Sequence, residues 1–302
     1  MNLKQARYIR TIAQEGSFTA AAKKLYISQP SLSQMVRQVE SELGLPLFDR
    51  DTAPLRLTYA GEKYLEFANL TLNASRRLEN QIQEIKQENS GRLRLGISVQ
   101  RAMQVLPLAL PWFSMQYPNV SIELREEGSA RLEALLLQGE IDLALAAIES
   151  ASPRLSYTLI ERESIGILAR WDAPLAGRIP AGTPVRLEET RDERFVCLKE
   201  GHSIRVVQDG LFRAAGMEPR ILLETDSMEV ARRVALANGA CMLCSDIYAD
   251  DEVSRPGAFY PLRDYENHRH FYACRRRDDP LPRYADSLVQ IVARVLAQKG
   301  RR

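Results

Sequence analysis

Apolar and polar positions in the first fifty residues follow a helical period, and the spacing predicts three helices. Leu3–Glu15 has apolar residues three and four positions apart and is followed by a glycine. Ser17 is placed to cap a second helix over 18–25, whose alanines allow close packing on a neighbour. Ser28 is placed to cap a third helix, Gln29–Leu43, which is also followed by a glycine.

The third helix is amphipathic. Its apolar stripe consists of Leu32, Met35, Val36, Val39 and Leu43, whereas the other face carries Gln29, Ser33, Gln34 and Arg37. Two short helices joined by a tight turn, the second polar on its outer face, are typical of a helix-turn-helix. Gln pairs with adenine, Arg with guanine, and Ser with phosphate or base. The segment 47–58 predicts a hairpin with a turn near 51–54, a wing whose Arg50 or Arg56 would contact the phosphate backbone.

Residues 58–89 contain no proline and predict a helix roughly 45 Å long. Its apolar or small positions are spaced by about 3.5 residues, the coiled-coil period. These positions are Leu65, Ala68, Leu72, Ser75, Leu78, Ile82 and Ile85. A partner helix that buries this stripe would stabilise so long a helix, which predicts dimerisation. The alternative is a surface helix packed on its own domain.

Short apolar runs alternate with helical stretches over 91–302, and this order predicts an α/β fold with a parallel sheet. The predicted strands are 91–98, 120–127, 141–148, 194–200, 221–226 and 240–245, and the predicted helices are Pro107–Tyr117, Ala130–Gln138, Ser203–Ala215 and Ser227–Asn238. Residues 158–170 come near the middle, and 266–275 are placed to return to the first half. Two lobes joined by crossing strands would enclose a cleft.

Composition narrows the class of protein. The chain has 302 residues, 45% hydrophobic and 26% charged, enough for two or three domains with real cores. No apolar run approaches the ~18 residues of a membrane span, and the start lacks a secretory core, so we expect a cytoplasmic protein without a membrane partner. Residues 1–58 carry 8 Lys/Arg against 5 Asp/Glu, net +3, so the basic excess lies in the helix-turn-helix segment.

The ordered run from Tyr8 through 16–25, 28–50 and 55–61 resembles the LysR-type transcriptional regulators. The remainder is similar to the family's effector domain through 106–124, 135–147 and 235–246. The resemblance implies an α+β multi-domain chain: a winged helix-turn-helix over 1–58, a linker or dimerisation helix over 59–90, and a two-lobed α/β effector domain like periplasmic binding proteins over 91–302. It implies promoter DNA, a small co-inducer and a homodimer or homotetramer as partners, and no cofactor.

The residues expected at the DNA are Ser28, Gln29, Pro30, Ser31, Ser33, Gln34, Arg37, Arg50 and Arg56. Three positions depart from the family's pattern. Gln34 stands where Arg is frequent, which removes one charge-assisted contact. Ala240 and Cys244 stand near positions where the family usually has Gly and Pro, which alters the expected geometry of that strand.

Ligands of open α/β sheets bind beyond the carboxyl ends of strands. This rule selects Ser98, Val99, Gln100, Arg101, Glu127, Gly128, Ala146 and Ala147 in the first lobe, and Lys199, Glu200, Gly201, His202, Ser203, Thr225, Asp226 and Ser227 in the second. Helix N-termini after Ser98 and His202 favour a small carboxylate, with Arg101 either paired to it or in solvent. Glu127 and Asp226 would instead suit an amine or an amino acid.

The sequence gives weaker support for a thiol switch, a metal site or an enzymatic site. Cys241 and Cys244 have a CxxC spacing, but they fall in a predicted strand and point to opposite faces, which predicts structural cysteines rather than a thiol switch or a metal site. His268 and His270 share a strand face without a third ligand, and 275–277 reads as a solvated strand end. No GxGxxG, P-loop, HExxH or GxSxG motif is present. An enzyme with an accessory helix-turn-helix remains the rival class, which turnover of a ligand would reveal.

Overall fold

The computed structural model describes residues 2–50, 52, 54–85, 90–148, 152–249, 257–266, 268–277 and 279–299. The chain forms two compact units, Met1–Gly91 and Arg92–Arg302. Among the described helices, none has the length and hydropathy that a membrane crossing requires.

The first unit is a winged helix-turn-helix followed by a long helix. Its elements are α1 (Leu3–Glu15), α2 (Phe18–Lys24), α3 (Gln29–Leu43), β1 (Phe48–Asp49), β2 (Arg56–Leu57) and α4 (Tyr59–Ile85). The predicted helix starts are confirmed, because Ser17 and Ser28 accept hydrogen bonds from backbone N–H groups of the first turns. The hairpin is also confirmed by the antiparallel β1–β2 pair. Asp51 and Ala53, in its expected turn, lie outside the described residues.

The core of this unit forms where α1, α2 and α3 meet. Ile9, Ile12, Leu32 and Val36 are fully buried there. Gly16 and Gly44 end α1 and α3 with φ of 59° and 69°, a left-handed conformation that glycine adopts without steric cost. The helix-turn-helix is therefore specified by its caps as well as by its apolar stripe.

The second unit consists of two lobes. Its elements are β3 (Ser90–Ile97), α5 (Val99–Gln116), β4 (Asn119–Glu126), α6 (Ser129–Leu137), β5 (Leu143–Ala147), β6 (Leu155–Arg170), α7 (Pro174–Arg178), β7 (Arg194–Leu198), α8 (Ser203–Ala214), β8 (Arg220–Thr225), α9 (Met228–Ala237), β9 (Met242–Ser245), β10 (Gly257–Pro261), β11 (His268–Arg276) and α10 (Arg283–Lys299). Short 3-10 turns occur at Leu187–Thr190 and Asp246–Tyr248.

Strand β6 joins the lobes. Its first part pairs with β11, and its last part pairs with β9 and β10. In the first lobe the strand order is β6-β11-β5-β3-β4. In the second, Cys241, just before β9, forms a parallel bridge to Phe195 of β7, which pairs with β8. The predicted crossing strand and the return of β11 to the first lobe are thus confirmed.

Two details of the predicted effector domain are wrong. The sheets are mixed rather than parallel: β3–β5 and β7–β8 are parallel, but β6 and β11 pair antiparallel with their neighbours because the chain crosses between lobes there. Helix α5 begins at Val99 rather than at Pro107. The cap at Ser98 starts the helix eight residues earlier, and Pro107 and Pro111 lie inside it.

Candidate nucleic-acid interface and effector cleft

Helix α3 presents its polar face to solvent. Gln29, Gln34 and Arg37 are exposed, whereas Leu32 and Val36 on the opposite side are fully buried. Burial of the apolar stripe fixes the rotation of the helix and so decides which side chains face outward. The face predicted to read DNA is therefore accessible.

Hydrogen bonds organise the start of this face. The Gln29 side-chain amide donates to Ser33 Oγ at 2.8 Å, and the Ser28 and Ser31 hydroxyls lie 2.7 Å apart. Pro30 lies in the first turn, where its missing N–H leaves no helical bond unmade. These residues form a polar, partly ordered surface at the helix N-terminus, an end that favours phosphate.

The two wing arginines differ in their surroundings. Arg56 is exposed on β2. Arg50 is paired with Glu40 of α3, with its Nη2 2.8 Å from Oε2, and its guanidinium lies over the Phe18 ring. Of the two candidates for phosphate contact, Arg50 is thus already engaged by a carboxylate of its own domain.

Some apolar residues of helix α4 pack in the core of the first unit, and others are exposed. Ala68 is buried in the helix-turn-helix core and Leu72 packs against it, as the surface-helix alternative expects. Besides Tyr59 at the start of the helix, four large apolar side chains are exposed among those described: Phe67, Leu70, Leu78 and Ile82. At about 100° per residue these four fall within an arc of roughly 120° on one face. The side chain of Ile85 and residues 86–89 lie outside the described part.

The first-lobe candidates occupy the strand ends that the sequence predicted. Ser98 caps α5, its Oγ accepting from the Arg101 N–H at 3.4 Å, and the Glu127 N–H donates to the Ile97 carbonyl at 3.3 Å. Val99, Gln100, Glu127 and Gly128 are exposed or half-buried at this edge.

Ala146 is a correction to the predicted site. It is 3% exposed and packs in the apolar cluster under α6, since alternate residues of β5 face opposite sides of the sheet. Its neighbour Ala147 is half-buried at the strand end. The strand-end rule located the right edge, and of the two alanines that it selected only Ala147 is partly exposed there.

The second-lobe candidates form a charged cluster. Asp226 lies 2.6 Å from Lys199 Nζ and 3.6 Å from His202 Nε2. The Lys199 ammonium holds the pKa of Asp226 below its ordinary value, and Asp226 in turn raises the pKa of Lys199. Gly201 has φ of 94°, which lets the chain turn sharply into α8. Strand ends 199–203 and 225–227 therefore come together as predicted.

Arg101 departs from both sequence expectations. Its side chain is 7% exposed, and its guanidinium pairs with Glu163 and, at 3.0 Å, with Glu161, both of β6. It also lies 4.1 Å from the centroid of the Phe271 ring. A strand that carries glutamates at alternate positions directs both to one face, where they meet the arginine from α5.

This buried cluster continues from the first lobe to the second. Arg269 of β11 lies 3.6 Å from Glu163 and donates from Nη2 to Ser203 Oγ at 2.7 Å, at the start of α8. The Gln104 amide donates to the Ile247 carbonyl at 3.4 Å. Polar contacts from α5 and β11 thus reach the second lobe, and the predicted site residue Ser203 already has a partner.

Burial and pairing act in opposite directions on the cluster's carboxyls. Burial opposes ionisation of Glu163, but Arg101 and Arg269 outweigh it and hold the pKa of Glu163 below its ordinary value. For Glu161 burial prevails over Arg101 and raises the pKa. Burial likewise raises the pKa of Asp246. The arginines therefore favour the ionised form of one carboxyl more than that of its neighbours.

The four cysteines are buried and not disulfide-bonded. Burial raises the pKa of Cys197 to about 11 and of Cys274 to about 12, and it raises that of Cys241 as well. Because the thiolate is the reactive form, these thiols are poor nucleophiles. Cys241 and Cys244 are fully buried at β9, as expected of structural cysteines.

Arg276 corrects a further expectation. Rather than lying in solvent, its guanidinium donates to the carbonyls of Leu136 and Ile141, each at 2.7 Å, and to Asp279. It ties the end of β11 to the α6–β5 connection. Within the described residues no cluster of His, Cys, Asp and Glu is arranged to hold a metal ion, and His268 and His270 belong to none.

Sequence reasoning missed Glu40, Glu161, Glu163 and Arg269. The two glutamates at alternate positions just before the buried run 165–169 of the same strand were a usable signal, because buried carboxylates require partners. Nothing in the local sequence identified Arg269 as that partner, since pairing of β11 with β6 is a long-range property of the fold.

Comparison with known proteins gives one consistent family. The model of the lysR-family bacterial regulatory helix-turn-helix protein matches residues 3–62, and that of the LysR substrate binding domain matches 86–297. The HTH-type transcriptional regulator YcgK of Bacillus subtilis is 31% identical over 278 residues, which are 86% of this chain and 84% of YcgK.

Solved structures agree in fold. Corynebacterium glutamicum OxyR, as a C206 mutant, is 29% identical with a TM-score of 0.62, and the match covers 98% of this chain and 93% of that one. CbnR in complex with its target DNA is 23% identical with a TM-score of 0.65, covering 98% and 100%. At that identity the CbnR match establishes the fold alone.

Proposed function

The chain belongs to the LysR family of transcriptional regulators, which bind DNA and respond to effectors, and from that premise we propose how its own residues divide the work. Helix α3 reads bases in the major groove through Gln29, Ser33, Gln34 and Arg37, and the polar residues at its N-terminus contact phosphate. The observation that carries this proposal is the exposed polar face opposite a fully buried apolar stripe.

The DNA-contact set is Ser28, Gln29, Pro30, Ser31, Ser33, Gln34, Arg37 and Arg56. Because position 34 is Gln, Arg37 is the only arginine in this set on α3, and it supplies the charge-assisted contact of that helix. Support also comes from CbnR, a protein of the same fold that was solved with its target DNA.

The effector binds in the cleft between the lobes of the second unit. The first turn of α5 at Ser98 and the loop Gly201–Ser203 offer neutral donors and helix N-termini, which favour a small carboxylate. The exposed Asp226 at the same edge suits an amino group, so an amino acid would use both ends. Arg101 is not part of this recognition, because its guanidinium is held by Glu161 and Glu163.

The proposed oligomer is a homodimer formed through α4, which pairs further into a homotetramer. Phe67, Leu70, Leu78 and Ile82 expose one apolar face of a helix of 27 residues. Such a face is stabilised when a second copy buries it. Leu78→Glu combined with Ile82→Glu should therefore lower the mass measured by sedimentation, whereas the double change Lys63→Glu and Glu66→Lys, at an exposed pair of the same helix, should leave it unchanged.

Genome-wide footprinting of the purified protein at physiological salt tests the function as a whole. We expect a few sharp sites, one beside the regulator's own gene. Arg37→Ala should weaken these footprints without altering the folded state. Binding that is no sharper than background for the natural protein, with and without extracts containing small molecules, would refute the assignment of α3 as a sequence reader.

A further inference from the structure

A single carboxylate joins the recognition helix to the wing. Glu40 lies on α3, and its Oε1 accepts the backbone N–H groups of Leu47 at 2.8 Å and Phe48 at 3.4 Å. Its Oε2 accepts from Arg50 Nη2 at 2.8 Å. The Glu40 side chain is only 13% exposed. One residue of α3 therefore determines where the first wing strand starts and which way Arg50 points.

Arg50 is constrained from a second side. Its guanidinium lies 5.7 Å from the centre of the Phe18 ring on α2, so the side chain spans α2, α3 and the wing. It remains 39% exposed and lines a groove of about 580 Å³ that also contains Arg37, Glu40 and Thr58. Two arginines thus line the same groove, and one of them, Arg50, has a carboxylate partner there at hydrogen-bond distance.

The charges in this groove have opposite effects on DNA. A phosphate near the groove is attracted by Arg37 and repelled by Glu40 and by Asp49, which also lines the groove, and it competes with Glu40 for Arg50. Phosphate contacts raise affinity for every sequence, whereas base contacts discriminate between sequences. When an arginine is kept away from phosphate, the affinity for every sequence falls, whereas the discrimination between sequences falls less.

We propose that Glu40 is a positioning residue for DNA discrimination. It fixes the wing against α3 and holds Arg50 away from the phosphate backbone, so that binding depends on the base contacts of α3. The proposal rests on the proposed DNA interface and adds to it that Arg50 is a restrained cation rather than a phosphate contact.

The variant Glu40→Gln removes the charge of the side chain while nearly preserving its shape. Its amide oxygen can still accept from the N–H groups of Leu47 and Phe48, but it no longer binds Arg50 as an ion. Glu42→Gln is the matched control, because Glu42 is also on α3 and its described side-chain bond is with Gln38 at 3.2 Å rather than with Arg50. Both variants remove one negative charge from the same helix.

The measurement is fluorescence anisotropy on two duplexes of equal length, one random in sequence and one selected from a random pool by the natural protein. Salt is titrated for each. For Glu40→Gln we expect roughly 10-fold tighter binding to the random duplex, and a log–log salt slope steeper by about 0.9, the value for one added phosphate contact. The ratio of selected to random affinity should fall. Glu42→Gln should leave the slope and the ratio unchanged.

Arg50→Gln keeps the proposal testable even if Glu40→Gln folds poorly. Since Arg50 contacts no phosphate in the natural protein, Arg50→Gln should keep the natural salt slope, and the double variant should lose the steeper slope of Glu40→Gln. A slope that falls by about 0.9 in Arg50→Gln alone would overturn the proposal. So would a Glu40→Gln slope equal to that of Glu42→Gln.

Failure of the DNA interface itself would look different. Arg37→Ala would then leave both duplexes unaffected, whatever the Glu40 variants do. If Arg37→Ala weakens binding and the Glu40 variants change neither slope nor ratio, the interface stands and the role of Glu40 is refuted.

Discussion

Replacing Arg101 by Met tests whether the buried cluster stabilises the effector domain. The guanidinium is 7% exposed and Glu163 is 1% exposed, so Arg101→Met leaves a buried carboxylate without its nearer cation. Removing one partner of a buried pair costs about 3–5 kcal/mol. Because Arg269 remains and Glu161 is partly exposed, we expect a loss at the lower end of this range, about 3 kcal/mol. Met keeps the apolar contact with Phe271.

Urea unfolding followed by tryptophan fluorescence reports the stability of the second unit, in which Arg101 lies. The chain has two tryptophans, Trp112 and Trp171, and both lie in the second unit. A loss of about 3 kcal/mol should lower the urea midpoint by roughly 1 M. Arg186→Met is the control, because its pair with Asp264 is exposed on both sides and should leave the midpoint unchanged.

The difference in urea midpoint between the natural protein and Arg101→Met should change with pH in one direction. The folded-state pKa of Glu163 is lowered, so its stabilisation is present at neutral pH and is lost as pH falls below its ordinary 4.5. The pKa of Glu161 is raised, so its protonation relieves a cost, and more so in Arg101→Met. The midpoints of natural protein and variant should therefore converge as pH falls. A variant midpoint equal to that of Arg186→Met, or a gap that widens in acid, would refute the reasoning.

The remaining predictions concern DNA binding, the effector response and the burial of the cysteines. Arg37→Ala should weaken binding of the selected duplex and reduce its salt dependence, measured by anisotropy, while the melting temperature stays within a few degrees; unchanged binding would remove Arg37 from the interface. Ser98→Ala should raise the effector concentration needed for a transcriptional response while DNA binding persists, and an unaltered dose-response would remove Ser98 from the cleft. Native protein should react negligibly with a thiol reagent until urea exposes Cys197 and the other cysteines, and rapid labelling of folded protein would contradict their burial.

Local signals account for the parts of the fold that the sequence predicted. The bounds of α1 and α3 follow from capping side chains, left-handed glycines and apolar stripes, all encoded within fifteen residues. The predicted helix range Pro107–Tyr117 began too late because Pro107 resembles a helix start, whereas the helix start expected after Ser98 is confirmed by the cap there. The antiparallel pairing of β6 and β11 joins residues about a hundred positions apart, and no local pattern specifies it.

The candidate sites also contain features that the local sequence determines and features that only tertiary pairing determines. Exposure of the α3 face was predictable because helical geometry alone fixes it once the apolar stripe is buried. The role of Arg101 was not predictable, because a charged residue at a strand end is compatible with ligand, solvent or a distant partner. Only tertiary pairing places Glu161 and Glu163 on the face that meets it.

From the position of this cluster we expect its stability to be linked to the response of the regulator. Arg101 lies in the first turn of α5, three residues after Ser98, whose hydroxyl accepts the Arg101 N–H. Glu163 lies on β6 just before that strand enters the second lobe, where Ile165 pairs with Ser245. A ligand that displaces the first turn of α5 therefore pulls on the strand that joins the lobes. Arg101→Met should accordingly weaken the coupling between effector and promoter more than it weakens effector binding, and titrating effector in the presence and absence of DNA separates the two quantities. Equal losses in both would show that the cluster only holds the fold together.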